Sequence, residues 1–201
     1  MREPRRQILA AHLIWTGYGH WLPNDLRGSG SLEVRKDALE SLGPVHHGRK
    51  KTQPSRMEVR DFLGQAEPLL DHPRLWFDGA ARQAIGGALG QEASRHGYSV
   101  YALGVCSNHM HAVIRAHRDN ALLIWQNLAT ATLLALREQS LFPVDHPIWS
   151  NRPFRVLLHT NEEVERCIVY VNENPIKGGL QRQHWPFVVE QVRIGSRREE
   201  Q

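Results

Sequence analysis

Hydrophobic and polar positions first fall into a regular pattern at Ala11–Tyr18, where His12-Leu-Ile-Trp-Thr-Gly-Tyr18 mixes β-branched and aromatic residues with polar ones and predicts a strand. From Asn24 to about Pro73 the pattern lapses into Gly, Pro, Ser, Arg and Lys, as in Gly28-Ser-Gly-Ser31 and His46-His-Gly-Arg-Lys-Lys51. That run far exceeds an ordinary connection of ~4–6 residues. It predicts an insertion at about 24–75, a surface loop with short helices at Glu33–Leu42 and Met57–Gln65. Helical spacing returns over Asp78–His96, where Ala81, Ile85, Ala88, Leu89 and Ala93 recur and Gly97 supplies the stop. Tyr98–Cys106 and His109–Ala116 read as a hairpin turning at Ser107-Asn108. A long helix follows from Asn120 to about Gln139 with Leu122, Leu123, Trp125, Leu128, Leu133, Leu134 and Leu136, then a short strand at Phe154–Leu158. Asn161 is the predicted cap of a last helix, with Glu162 and Glu163 against its dipole and Pro175 ending it at Glu173 or Asn174.

Strand, insertion, helix, strand, strand, helix, strand, helix is the order expected of an α+β chain. Without the insertion and the last helix it is the split β-α-β of ferredoxin-like folds, an antiparallel sheet with helices on one face. We expect one domain over 1–201, with the insertion after the first strand, a C-terminal tyrosine-bearing helix and a flexible tail at about 193–201. Such a scaffold hosts many functions, so the site has to decide.

Composition narrows the classes. Apolar residues make up 41% and charged residues 23% of the 201, near globular averages, which disfavours a disordered chain, a coiled coil or a collagen. Twenty-five Lys and Arg against 21 Asp and Glu give a net +4, mild enough to permit a nucleic-acid partner without requiring one. Two cysteines, Cys106 and Cys167, are too few for a disulfide framework or a four-thiolate zinc site and point to a reducing compartment. No secretory signal is legible, and nowhere do ~18 apolar residues run together, so a cytoplasmic protein without a membrane span is expected.

Two local features carry chemistry. In His109-Met110-His111 the histidines share one face of a strand, where two imidazoles can chelate a divalent metal while Met110 turns to the other side. The pair alone does not name the metal, since imidazole suits zinc, iron, copper and nickel and also serves manganese. In Tyr170-Val-Asn-Glu-Asn-Pro175, Tyr170 and Asn174 lie one helical turn apart. Taken singly, a His-x-His among 12 histidines is more often ordinary strand surface, and such a tyrosine is more often packing. Together they change weight. A phenol, whose ordinary pKa is near 10, needs help to act as a nucleophile. A metal held by two histidines, with the asparagine as an oxygen ligand, stabilises charge developing on a phosphodiester. Arg115, Arg152, Arg155 and Lys177 lie near these residues in sequence and are candidate DNA-phosphate contacts. Trp21, Trp149 and Trp185 are candidates for stacking unpaired bases.

Asn108-His-Met-His-Ala-Val-Ile114, preceded by the strand at Tyr98–Cys106, resembles the His-hydrophobic-His motif of single-tyrosine HUH transposases. Tyr170-Val-Asn-Glu-Asn-Pro-Ile-Lys-Gly-Gly-Leu180 resembles the helix that bears their catalytic tyrosine, in the form found in REP-associated tyrosine transposases. The likeness covers about Ala11–Tyr18 and Asp78–Leu180, a little over half the chain. It implies that His109, His111 and Asn174 bind Mg²⁺ or Mn²⁺. It further implies that Tyr170 attacks single-stranded DNA at hairpin-associated sites, leaving a 5′-phosphotyrosine and a free 3′-hydroxyl. Members of the family act as monomers or as homodimers. The chain departs from the pattern in its insertion of about 50 residues, and two imidazoles with an amide do not by themselves favour magnesium, which prefers oxygen. The alternative is a non-catalytic nucleic-acid-binding module on the same fold. A metallohydrolase finds no His-Glu-x-x-His helix, and an NTP-driven machine finds no phosphate-cradling Gly-x-x-x-x-Gly-Lys loop.

Overall fold

The computed structural model describes residues 6–48 and 50–193. Its strands are β1 (Ala10–Thr16), β2 (Val100–Val105), β3 (His109–Arg115) and β4 (Phe154–Leu158), and its helices are α1 (Arg56–Ala66), α2 (Gly79–His96), α3 (Ala121–Glu138) and α4 (Asn161–Lys177). The strands form one sheet in the order β2-β3-β1-β4, with every neighbouring pair antiparallel. This is the α+β, ferredoxin-like arrangement expected from the element order.

Strand alternation assigns each face. Leu13, Trp15, Met110, Ala112 and Ile114 point one way, into a core shared with Ile85 and Leu89 of α2 and with Ile124, Leu128 and Leu136 of α3. Ala10, Val113, Tyr101 and Ala102 point the other way and pack with Val164 and Val171 of α4. Both helices of the ferredoxin-like core therefore cover one face, and the last helix covers the opposite one.

Local chemistry sets the helix ends. Asp78 caps α2 through Ala81 N–H at 2.8 Å, and Gly97 ends it in the left-handed region at φ 71°. The cap of α4 is Thr160 and not Asn161: its hydroxyl accepts from Glu163 N–H while Glu163 accepts from the Thr160 backbone, a reciprocal capping box. Pro175 does not stop that helix, which runs on to Lys177. Proline has no N–H to give the Val171 carbonyl. That carbonyl faces Gly104 of β2 so closely that a Cβ on Gly104 would lie 2.7 Å from it, and the Pro175 ring covers the same glycine. A side-chain-free strand position thus lets the proline turn of α4 lie directly on the sheet.

The insertion is folded and not a bare surface loop. Leu22, Leu39, Phe62, Leu63 and Ala66 form a third buried cluster. Buried Asn24 donates to Leu39 O at 2.6 Å, and buried Asp25 accepts from Arg27 at 2.6–2.8 Å. The expected helix at Glu33–Leu42 is only a 3-10 turn at Asp37–Leu42, whereas the second matches α1 closely. Of the expected tail, Arg193 is paired with Glu165, and the remainder lies outside the described residues. Among the described residues no helix is long and apolar enough to cross a membrane.

Candidate active site

Alternation on β3 places His109 and His111 on the α4 side of the sheet, and α4 lays Tyr170 and Asn174 over them. His111 is buried, and its ring centroid is 4.8 Å from that of His109 and 5.5 Å from that of Tyr170. Asn174 Oδ1 is 3.2 Å from His109 Nε2 and accepts from the Cys106 thiol at 3.3 Å. Tyr170 remains 45% exposed, so one edge of the cluster is open to a large substrate. A cleft of about 240 Å³ opens on the His109 and Asn174 side of the cluster, lined also by Asn108 and Lys177 but not by Tyr170 or His111.

His12 completes the cluster, although only its interruption of an apolar strand marks it in the sequence. Cross-strand register puts it opposite Val113, on the histidine face, with Nε2 3.0 Å from His111 Nδ1 and its ring 6.0 Å from that of Tyr170. Burial lowers its pKa to about 4 and, together with the neighbouring His109 and His12, that of His111 to about 2; burial also lowers His109. All three rings are neutral at physiological pH. Burial raises the Cys106 thiol to about 11, so it is no nucleophile.

The donor accounting exposes an unmet demand. Asn108 Oδ1 lies 2.7 Å from His109 Nδ1 and can only accept, so Nδ1 carries the ring proton and Nε2 is a lone pair. That lone pair faces the Asn174 oxygen, itself an acceptor. His111 Nε2 is buried with no hydrogen-bond partner. When His111 Nδ1 donates to His12 Nε2, His111 Nε2 is a third lone pair in the same cluster. An unsatisfied buried acceptor costs about 1–3 kcal/mol, and a cation at His111 Nε2 removes that cost. His109, His111 and Asn174 therefore fit a divalent ion. Among the described residues no three His, Cys, Asp or Glu side chains converge as a metal cage.

The basic candidates separate. Lys177 lines the cleft and pairs with Glu173 at 2.7 Å. Exposed Arg152 precedes β4 at the site's end of the sheet, near Ser150, which bonds Thr16 opposite His109. Arg115 lies six residues up β3 from His109, about 20 Å away. Arg155 pairs with Leu13 and so projects on the α2–α3 side, away from the histidines. Of the tryptophans, Trp185 is buried and Trp149 packs against the main core, so neither is free to stack on bases. Trp21 is 41% exposed, with the Arg27 guanidinium 3.9 Å over its ring.

No family sequence profile matches the chain, and no curated protein matches it. Among solved structures it is similar to a REP-associated tyrosine transposase bound to a REP hairpin, at 13% identity and TM-score 0.45 over 93% of this chain and 81% of that one. It is also similar to a protein assigned as a transposase from Deinococcus radiodurans R1, at 15% identity and TM-score 0.38 over 87% of this chain and 98% of that one.

Proposed function

We propose that the chain is a metal-dependent nicking and joining enzyme for single-stranded DNA, a transposase or a domesticated relative, with Tyr170 as its nucleophile. One observation carries this reading: a half-exposed phenol stands against a cluster in which His111 Nε2 is buried without a partner and His109 Nε2 faces the Asn174 oxygen. A bound Mn²⁺ or Mg²⁺ supplies Lewis-acid polarisation of a phosphodiester and charge stabilisation on its oxygens. The mixed nitrogen and oxygen donors suit manganese at least as well as magnesium.

The chain's own residues do the rest. Tyr170 Oη attacks phosphorus, the bond to the 3′ oxygen breaks, the phenolic proton is lost to water and the departing 3′ oxygen takes one up. The product is a 5′-phosphotyrosine with a free 3′-hydroxyl, and attack by that hydroxyl or another strand's reverses the step without an external energy source. Lys177 holds an adjacent phosphate. The His12–His111 contact sets the orientation of the buried ring. Hairpin-bearing DNA as the substrate rests on the motif resemblance at 108–114 and 170–180. Tyr170 and the histidines meet within one chain, so a monomer can hold the whole site, and the resemblance also admits a homodimer.

A labelled hairpin-bearing single strand incubated with Mn²⁺ or Mg²⁺ tests this directly. The expected result is a denaturant-resistant protein–DNA adduct that Tyr170→Phe abolishes while DNA binding persists. An adduct that survives the substitution rejects the nucleophile, cleavage without any adduct indicates a hydrolase, and binding without cleavage under either metal indicates a non-catalytic module.

A further inference from the structure

We propose that His20, just ahead of the insertion, is a positioning residue that fixes the tautomer of His109 through Asn108. The proposal rests on the reading that His109 Nε2 is a donor to a cation, and it gives the insertion a part in that site. The chain of bonds runs in one direction only. A backbone carbonyl accepts and never donates, so Leu75 O, 2.7 Å from His20 Nε2, places the proton of the neutral His20 ring on Nε2. His20 Nδ1 is then an acceptor, and the group 3.4 Å from it is Asn108 Nδ2. With its amide nitrogen committed there, Asn108 turns Oδ1 to His109 Nδ1 at 2.7 Å. His109 Nδ1 must carry the proton, and Nε2 is left as the lone pair at the cleft.

Each link is held from both sides. His20 and Asn108 flank the base of the insertion, where Leu75 N–H bonds Tyr18 O at 3.1 Å, Phe77 N–H bonds Ser107 O at 2.6 Å and Gly17 N–H bonds Asn108 O at 2.8 Å. His20 is buried, with its ring edge-on to Trp76 at 4.5 Å. The carbonyl that starts the chain belongs to the end of the insertion and the imidazole to the segment that leads into it. Closure of the insertion and presentation of the His109 lone pair are therefore one event. Without the chain the two tautomers of a neutral imidazole compete, and the one protonated on Nε2 cannot bind a metal there.

Long-range ¹⁵N–¹H correlation spectra of the metal-free protein read the tautomer without reference to activity, with His109 identified by the signal lost in His109→Gln. The wild type is expected to show His109 protonated on Nδ1. His20→Phe keeps an aromatic ring but ends the chain, and is expected to give mixed His109 tautomers and Mn²⁺ affinity weaker by ~10–100-fold. His20→Gln, whose amide can donate to Leu75 O and accept from Asn108 in the same order, is expected to restore both. A wild-type His109 protonated on Nε2 overturns the proposal even if every variant fails to fold, as does a folded His20→Phe protein with unchanged tautomer and affinity. If the wild type binds no Mn²⁺ at all, the metal reading fails while the spectra still decide the tautomer.

Discussion

The two faces of the sheet are made by the same strands and obey opposite rules. On one, Leu13, Trp15, Met110 and Ile114 are fully buried against α2 and α3, with no titratable side chain among them. On the other, residues one step along the same strands are His12, His109 and His111, and the helix above them rests on a glycine. Apolar burial of the first kind stabilises at roughly 25 cal/mol per Å². Buried imidazoles and an orphaned Nε2 work the other way, because desolvation of polar groups costs free energy unless partners replace the water. The first face is apolar at its buried strand positions, whereas the second sets part of its area aside for buried polar groups beside the apolar contacts of α4.

The largest contrast comes from substituting one residue on each side. Leu128→Ala, in the α2–α3 core, is expected to cost ~2–5 kcal/mol by urea unfolding while leaving adduct formation intact at temperatures where the protein stays folded. Tyr170→Phe is expected to change stability by less than about 0.5 kcal/mol and to abolish the adduct completely. A Leu128 variant that is folded but inactive, or an active Tyr170→Phe, would erase the distinction between the faces.

Gly104→Ala tests how closely α4 must sit. The new methyl would meet the Val171 carbonyl at 2.7 Å, so the helix carrying Tyr170 and Asn174 has to lift. Overpacking of this kind costs about 1–3 kcal/mol. A displacement near 1 Å lowers a positioned reaction by ~10²-fold. We expect adduct formation to slow on that scale while hairpin binding persists, and an unchanged rate would show that the phenol reaches its target from a mobile helix.

Much of this division was legible in the sequence. Period-2 spacing puts both histidines on one side of β3, and i, i+4 spacing puts Tyr170 beside Asn174; these local regularities survive folding. What was not legible is non-local. His12 shows only as a polar interruption, because its role depends on which residue β3 brings opposite it. Pro175 reads as a stop, because the glycine that accommodates the proline turn lies some 70 residues earlier. Arg115 and Arg155 are near the motifs along the chain but not in space, since six strand residues span about 20 Å and a shift of one changes the face. The insertion's core draws on residues 22, 39 and 62–66, which share no period that a sequence pattern reveals.

Acid provides a smaller and graded effect on the polar side. Burial holds the His20 pKa near 4, against an ordinary value near 6.5. Below pH 6.5 the unfolded chain therefore takes up a proton that the folded chain refuses. Stability is full above that pH, declines as pH falls towards 4 and declines no further from this group below it. Between pH 7 and pH 5 the loss from this ring alone is about 2 kcal/mol, at about 1.36 kcal/mol per pKa unit. His20→Gln is expected to shrink the pH 7 to pH 5 difference in unfolding free energy by that amount. An identical difference in the variant would mean that His20 accepts its proton without unfolding.

The smallest expected effect separates the cleft's rim from both faces. Lys177 makes an exposed i, i+4 pair with Glu173, an arrangement that adds little to stability. It lines the cleft with His109 and Asn174, where the proposed function gives it a phosphate to hold. Lys177→Ala is therefore expected to leave unfolding unchanged and to weaken single-strand binding modestly. The slope of log affinity against log salt should become shallower by about 0.7, the value for one lost phosphate contact on a single strand. Arg155→Ala, projecting on the other side of the sheet, should leave that slope alone. If Arg155 shifts the slope and Lys177 does not, the strand crosses the α2–α3 side, and the polar face is not where DNA lies.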